Sequence, residues 1–303
     1  MLNVRPPTPG LIFDLGRWFL EEALRASLPP ENPEILRFCA GSTWRLSTWL
    51  KPARRALMID EVRRCFGLNV RTAETVVREA HDATLQARLE VLLAPQILDF
   101  SSYLRIFGEF PEGGLLLHPS VAAAPLLHAV LSRRYPGLVV FRARGLPPRG
   151  GQGSLRDSRI NRISAKRRLK AEEQLPIVWE CDPDAIEAHL GRGARVVAAF
   201  DDRAYRRWEQ RPLLGRPALL SPDPWEAARR VGAPVIPAFI LRERDKTSRA
   251  TLGKPIAPSL ESWMGSVEGW LRAHPSTYAM WLAECRIRQK MDDHPFFLDY
   301  GQE

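Results

Sequence analysis

From residue 113 onward, short apolar runs alternate with helical stretches, and this alternation restricts the fold more than any other feature of the chain. The order is GLLLH, a helical pattern over 121–134, GLVVF, a second over 155–172, PIVWE, a third over 183–191, ARVVAAF, a fourth over 223–231, and APVIPAFIL. Apolar runs without polar alternation mark strands covered on both faces, and helices between them mark parallel crossovers. The expectation is an α/β fold: an N-terminal helical region over 1–105, then a mostly parallel sheet flanked by helices over 106–303. Within the first part, 10–27, 31–50, 53–66 and 71–94 read as helices, with Gly67 and Asn69 joining the last two and Thr72 as the expected N-cap. Leu11, Ile12, Leu15, Trp18 and Phe19 share one face of the first helix, which suits either a core cover or an anchor at a lipid headgroup boundary. The tail is helical over 259–273 and 276–290. LPPRGGQG at 146–153 has the composition of a mobile loop.

The formal net charge of +9 favours an anionic partner: nucleic acid, a membrane surface, a phosphorylated lipid or an acidic carrier protein. One basic block holds Arg142, Arg144, Arg159 and Arg162, with Asp157 as the acid among them; a second holds Arg203, Arg206, Arg207, Arg211 and Arg216. Both begin just after a strand's carboxyl end, so both are candidates to line one mouth and bind phosphate, which arginine suits. Neither is interleaved with base-stacking aromatics, which makes a nucleic-acid-binding protein the remote alternative. The four cysteines have no metal-ligand spacing and read as free thiols, so no metal or resident cofactor is expected. The N-terminus lacks the pattern of a signal peptide, and no apolar stretch reaches the roughly 18 residues of a membrane span. A protein that is soluble or lies on a membrane surface is the expected setting.

Four stretches, in order, carry a resemblance over about residues 54–290. A long helix leads into a strand beginning GGLLL. ARVVAAFDD is followed by Pro-Leu-Leu-Gly and RPALLSPDPWEAARRVGAPVIPAFILRE, with Gly215, Pro217, Ala218, Gly232, Ala233, Pro234, Val235 and Arg242 in the matching places. GKPIAP follows, and then HPSTYAMWLAECRIR, with Pro275, Tyr278 and Trp281. Together they resemble the bacterial lipid A biosynthesis (late) acyltransferases of the lysophospholipid acyltransferase-like superfamily. The resemblance implies transfer of a fatty acyl group from an acyl-carrier-protein or CoA thioester to a phosphorylated lipid or glycolipid. It also implies basic residues near the acceptor's phosphates or the carrier protein, and a cytoplasmic position, peripheral on the inner face of the cell membrane.

That family places H-x4-D/E at a strand-to-helix turn. The histidine takes the acceptor's proton, and the carboxylate orients the ring and stabilises its cation. Here the turn reads HPSVAAAP. With His118 in the histidine position the acid position is Ala123; set instead by the distance to the next strand, Ser120 and Pro125 take the two positions. Neither register gives a dyad. His128 lies about two and a half turns further on. A carboxylate from the next strand end, Asp201 or Asp202, is the remaining route to a His118 pair. Otherwise His118 is a strand-end histidine satisfied by backbone. The small residues 121–124 allow close packing or leave room for a ligand. The expected site is therefore His118 with Asp201 or Asp202 for catalysis, and Ser120, Arg142, Arg144, Arg159, Arg162, Arg203, Arg206 and Arg242 for binding. The alternative is a catalytically inactive pseudo-acyltransferase that binds lipid or acyl carrier.

Overall fold

The computed structural model describes residues 52–93, 100, 103–121, 123–142, 170, 173–202, 205–243, 247–288 and 295–300. The expected helices at 10–27, 31–50 and 155–172 and the loop at 146–153 lie outside them, apart from Lys170. Two helices, α1 (Pro52–Phe66) and α2 (Val70–Leu93), lead into β1 (Leu104–Phe107) and β2 (Leu115–His118). There follow α3 (Ala124–Arg134), β3 (Val139–Phe141), β4 (Val178–Glu180), α4 (Pro183–Gly191) and β5 (Val196–Ala199). Next come β6 (Glu209–Leu213), β7 (Arg216–Leu220), α5 (Asp223–Val231), β8 (Val235–Arg242) and β9 (Ser248–Leu252). Two helices, α6 (Leu260–Ala273) and α7 (Pro275–Arg288), follow, and residues 295–300 come after them.

Seven strands form one sheet in the order β1-β9-β8-β2-β5-β3-β4. Only β8 and β9 pair antiparallel; the other neighbours are parallel. The apolar runs in the sequence therefore account for five of its seven strands, β2, β3, β4, β5 and β8, and for its mostly parallel character. β2 lies centrally, between β5 and β8, and Leu115, Leu116 and Leu117 are fully buried. An uninterrupted leucine run is what a strand covered on both faces requires. The β2–β5 register sets His118 beside Ala199, so both strands end at the same level of the sheet's carboxyl edge.

The helical region packs onto the C-terminal helices through a second apolar cluster. Met58, Val62, Ala73, Val76, Val77 and Ala80 of α1 and α2 meet Ala279 and Ala283 of α7, where the small alanines let the helices approach closely. The N-cap of α2 is Asn69, not Thr72: the Asn69 side-chain oxygen accepts the Thr72 N–H at 2.9 Å. The preceding helix, α1, ends where the chain turns at Gly67, at φ +66°, where a side chain would be strained.

Four strands escape the sequence reading: β1, β6, β7 and β9. β6 and β7 form a hairpin around Leu214 and Gly215, both at positive φ (55° and 77°), the backbone of a two-residue turn. A leucine in that conformation is uncommon, so Pro-Leu-Leu-Gly did not announce a hairpin. β1 and β9 pair with each other at one side of the sheet, with buried and outward-facing residues alternating along β9. The tryptophans behave as core aromatics. Trp263 and Trp225 are buried with ring centres 6.2 Å apart, and Phe239 stacks between Trp263 and Trp270.

Candidate functional site

The carboxyl ends of β2 and β5 carry two separate polar clusters. The first centres on His118, the last residue of β2, which is only 2% exposed. Its Nδ1 lies 2.8 Å from the Pro119 carbonyl oxygen. A carbonyl only accepts, so the neutral ring carries its proton on Nδ1 and leaves Nε2 as the acceptor. That acceptor lies 3.1 Å from Nε2 of His128 on α3, whose N–H donates to it. His128 in turn meets Trp179 edge-on at 6.5 Å, and the Arg142 guanidinium lies 3.7 Å over the same indole. Burial pushes the His118 imidazole down to about 4, against the Pro119 hydrogen bond. Burial, then the His118 and Arg142 charges, hold His128 well below its ordinary range.

The second cluster centres on Asp201, just past β5 and 1% exposed. Its Oδ1 accepts the Ser120 hydroxyl at 2.6 Å and the Ser120 N–H at 3.0 Å. Its Oδ2 accepts the Tyr278 hydroxyl from α7 and lies 3.2 Å from the Ser120 nitrogen. Burial pushes the Asp201 carboxyl up to about 6, and the bonds from Ser120 and Tyr278 oppose that rise.

The expected pair of His118 with Asp201 or Asp202 is therefore not formed. Both His118 nitrogens are engaged by Pro119 and His128, and both Asp201 oxygens by Ser120 and Tyr278. The cause is strand register. His118 sits opposite Ala199, so the residue two positions after His118 meets the residue two positions after Ala199. Those residues are Ser120 and Asp201. The sequence reading set His128 aside as too distant, yet α3 returns it to His118. Tyr278 was noted only as part of a sequence pattern, and nothing local marks it as Asp201's partner.

The expected binding arginines divide differently from their sequence clusters. Arg142 lies on Trp179, close to the His pair. Arg206 reaches Asp182 and Asp184 at the start of α4. Arg207 pairs with Asp223 and Glu226, and Arg211 with Glu209. Arg216 is buried against Glu61 and Asp299. The described arginines of the second basic block thus face carboxylates rather than lining one mouth with His118. Arg144, Arg159, Arg162 and Arg203 lie outside the described residues.

Arg242 makes a two-pronged bond to Glu90 of α2 at 2.7 and 2.8 Å, and Glu90 is fully buried. This pair ties the helical region to the end of β8. Arg242→Ala is expected to cost about 2–3 kcal/mol of unfolding free energy, because Glu90 keeps Gln86 as a partner but loses its cation. Urea denaturation at neutral pH reads this directly; an unchanged midpoint would remove the structural role.

Among the described residues no group of three or more His, Cys, Asp or Glu could hold a metal ion. No described helix is long and apolar enough to cross a membrane. The arrangement defines an α/β protein with a mostly parallel sheet and polar clusters at its carboxyl edge, where open α/β sheets bind ligands. No protein-family model and no curated protein matches the chain.

Proposed function

We propose that the chain is an acyltransferase-like protein. It binds a fatty acyl thioester, carried by acyl carrier protein or CoA, and a phosphorylated lipid or glycolipid acceptor, at the carboxyl edge of β2 and β5. The observation that carries this reading is the Ser120 hydroxyl, 2.6 Å from a buried carboxylate at the strand-to-helix turn. The four-stretch sequence resemblance and the net charge of +9 support the same substrate classes. A peripheral position on the inner membrane face belongs to this proposal.

Transfer does not use His118 as the base. An imidazole pushed down to about 4 is a weak proton acceptor at neutral pH, and its acceptor nitrogen is occupied by His128. The same observation favours a second reading, a catalytically inactive protein that binds lipid or acyl carrier.

The test mixes the full chain with labelled acyl-carrier and acyl-CoA thioesters and total membrane lipid, with mass spectrometry of the lipid products. Transfer is expected, and it is expected to survive His118→Gln. Retention of thioester without transfer establishes the inactive reading. Neither transfer nor retention of any thioester overturns both.

A further inference from the structure

We propose that Ser120 is a nucleophile that takes the acyl group from the thioester onto its own oxygen, with Asp201 as the proton acceptor. The inference rests on the acyl-thioester reading above and names the group that performs its chemistry.

Ser120 lies on the turn between β2 and α3, and Asp201 lies just beyond the end of the adjacent parallel strand, β5. A serine on a strand–turn–helix corner presents its oxygen at the top of a sheet. Ser120 is partly exposed, whereas Asp201 and Tyr278 are buried at 1% and 0%. Ser120 is therefore partly accessible, and its base lies buried behind it.

The hydrogen bonds also have the right direction. The hydroxyl donates its proton to Asp201 Oδ1, so the oxygen's lone pairs point elsewhere. The Ser120 N–H and the Tyr278 hydroxyl hold the carboxylate in one orientation. A carboxylate that merely joined β5, the turn and α7 would already have those two donors; the hydroxyl is the additional group. The groups facing Asp201 are Ser120, Tyr278 and Tyr205, and the Tyr205 hydroxyl is held by the Ala199 carbonyl at 2.8 Å. A carboxyl raised to about 6 is a stronger base than an ordinary one and is still mostly ionised at neutral pH.

The step balances. Ser120 Oγ attacks the thioester carbonyl carbon and its proton passes to Asp201. The tetrahedral intermediate collapses, the C–S bond breaks, and the departing sulfur takes the proton from Asp201. An oxygen ester on Ser120 and a free thiol result. An acceptor hydroxyl, or water, then gives its proton to Asp201 and attacks the ester, and Ser120 Oγ leaves with that proton. Tyr278 is a positioning residue in this scheme, since it acts through Asp201.

The experiment treats the full chain with a decyl fluorophosphonate, which forms a stable P–O bond to an activated serine and expels fluoride. In parallel, decanoyl-CoA is added and the reaction quenched in acid, with peptide mapping of both products. Phosphonate and acyl adducts are expected on Ser120 and absent from Ser120→Ala. The labelling rate is expected to rise with pH through about 6. It should fall about 100-fold in Asp201→Asn. Ser120→Cys should accept the acyl group as a thioester that neutral hydroxylamine cleaves, which the oxygen ester of the wild type resists. Tyr278→Phe should keep the adduct and displace its pH profile. Equilibrium dialysis of decanoyl-CoA and circular dichroism accompany each sample. A folded chain that retains decanoyl-CoA but gains neither adduct overturns the nucleophile and leaves the binding reading intact. One that retains no decanoyl-CoA overturns that reading and this inference together. Labelling of Ser120 at an unchanged rate in Asp201→Asn overturns Asp201 as the base.

Discussion

Replacing Arg216 by methionine is expected to cost about 3–5 kcal/mol of unfolding free energy. Arg216, the first residue of β7, donates to Glu61 at 2.6 Å and to Asp299 at 2.7 and 2.9 Å. Its guanidinium also lies 4.1 Å from the ring centre of Phe297. Glu61 of α1 is fully buried, and the next cation, Arg286, is 3.9 Å away. Without Arg216, a buried carboxylate is left with Tyr300, the Cys65 thiol and that distant charge. The same arginine pins residues 296–298, whose backbone bonds to Pro217 and Leu219 extend the β6–β7 hairpin. The urea midpoint should drop accordingly, and Glu61→Gln in the Arg216→Met background should recover part of the loss by removing the stranded charge. A midpoint within about 1 kcal/mol of wild type would show that water reaches Glu61 and that the network contributes little.

The second large effect is a loss of stability in acid carried by the buried histidines. The folded state holds His118 at about 4 against an ordinary 6.5, so the unfolded chain binds the extra proton as pH falls through that interval. Between pH 7 and 4 this removes about 3 kcal/mol. His128 acts in the same direction. Asp201 acts in the opposite one: its carboxyl is raised from 3.8 to about 6, so the folded state binds the proton first. Its contribution is present at low pH and is lost as pH rises through about 6, amounting to about 2 kcal/mol over the same range. The chain is therefore expected to lose stability between pH 7 and 4. Asp201→Asn should steepen that loss by about 2 kcal/mol, and His118→Gln should shallow it by about 3 kcal/mol, each relative to its own value at pH 7. Parallel slopes in the three proteins would mean that neither group changes protonation on unfolding in this range.

Much of the architecture was legible because burial writes itself into composition. The LLLH run of β2 and the VVAA run of β5 can be stable only between two covered faces, and the helices at 183–191 and 223–231 begin and end where the sequence places them. The hairpin was not legible, because Glu209 to Leu220 has neither an alternating apolar pattern nor an Asn-Gly turn. It is held by burial of Leu213, Leu214, Ala218 and Leu220 in the core and by backbone bonds to residues 296–298 far along the chain.

At the carboxyl edge the division is sharper. The sequence by itself determined that a histidine and a serine close β2, that no acid stands at residue 123, and that two aspartates close β5. It also set the excess of arginine. Tertiary structure alone decided which of these groups meet. A parallel register brought Asp201 to Ser120, the return of α3 brought His128 to His118, and the fold of α7 brought Tyr278 to Asp201. Each partner is separated by ten or more residues, so no local pattern encodes it; the pairing is fixed by how strands align and helices pack, and a one-residue change of register would have chosen different partners.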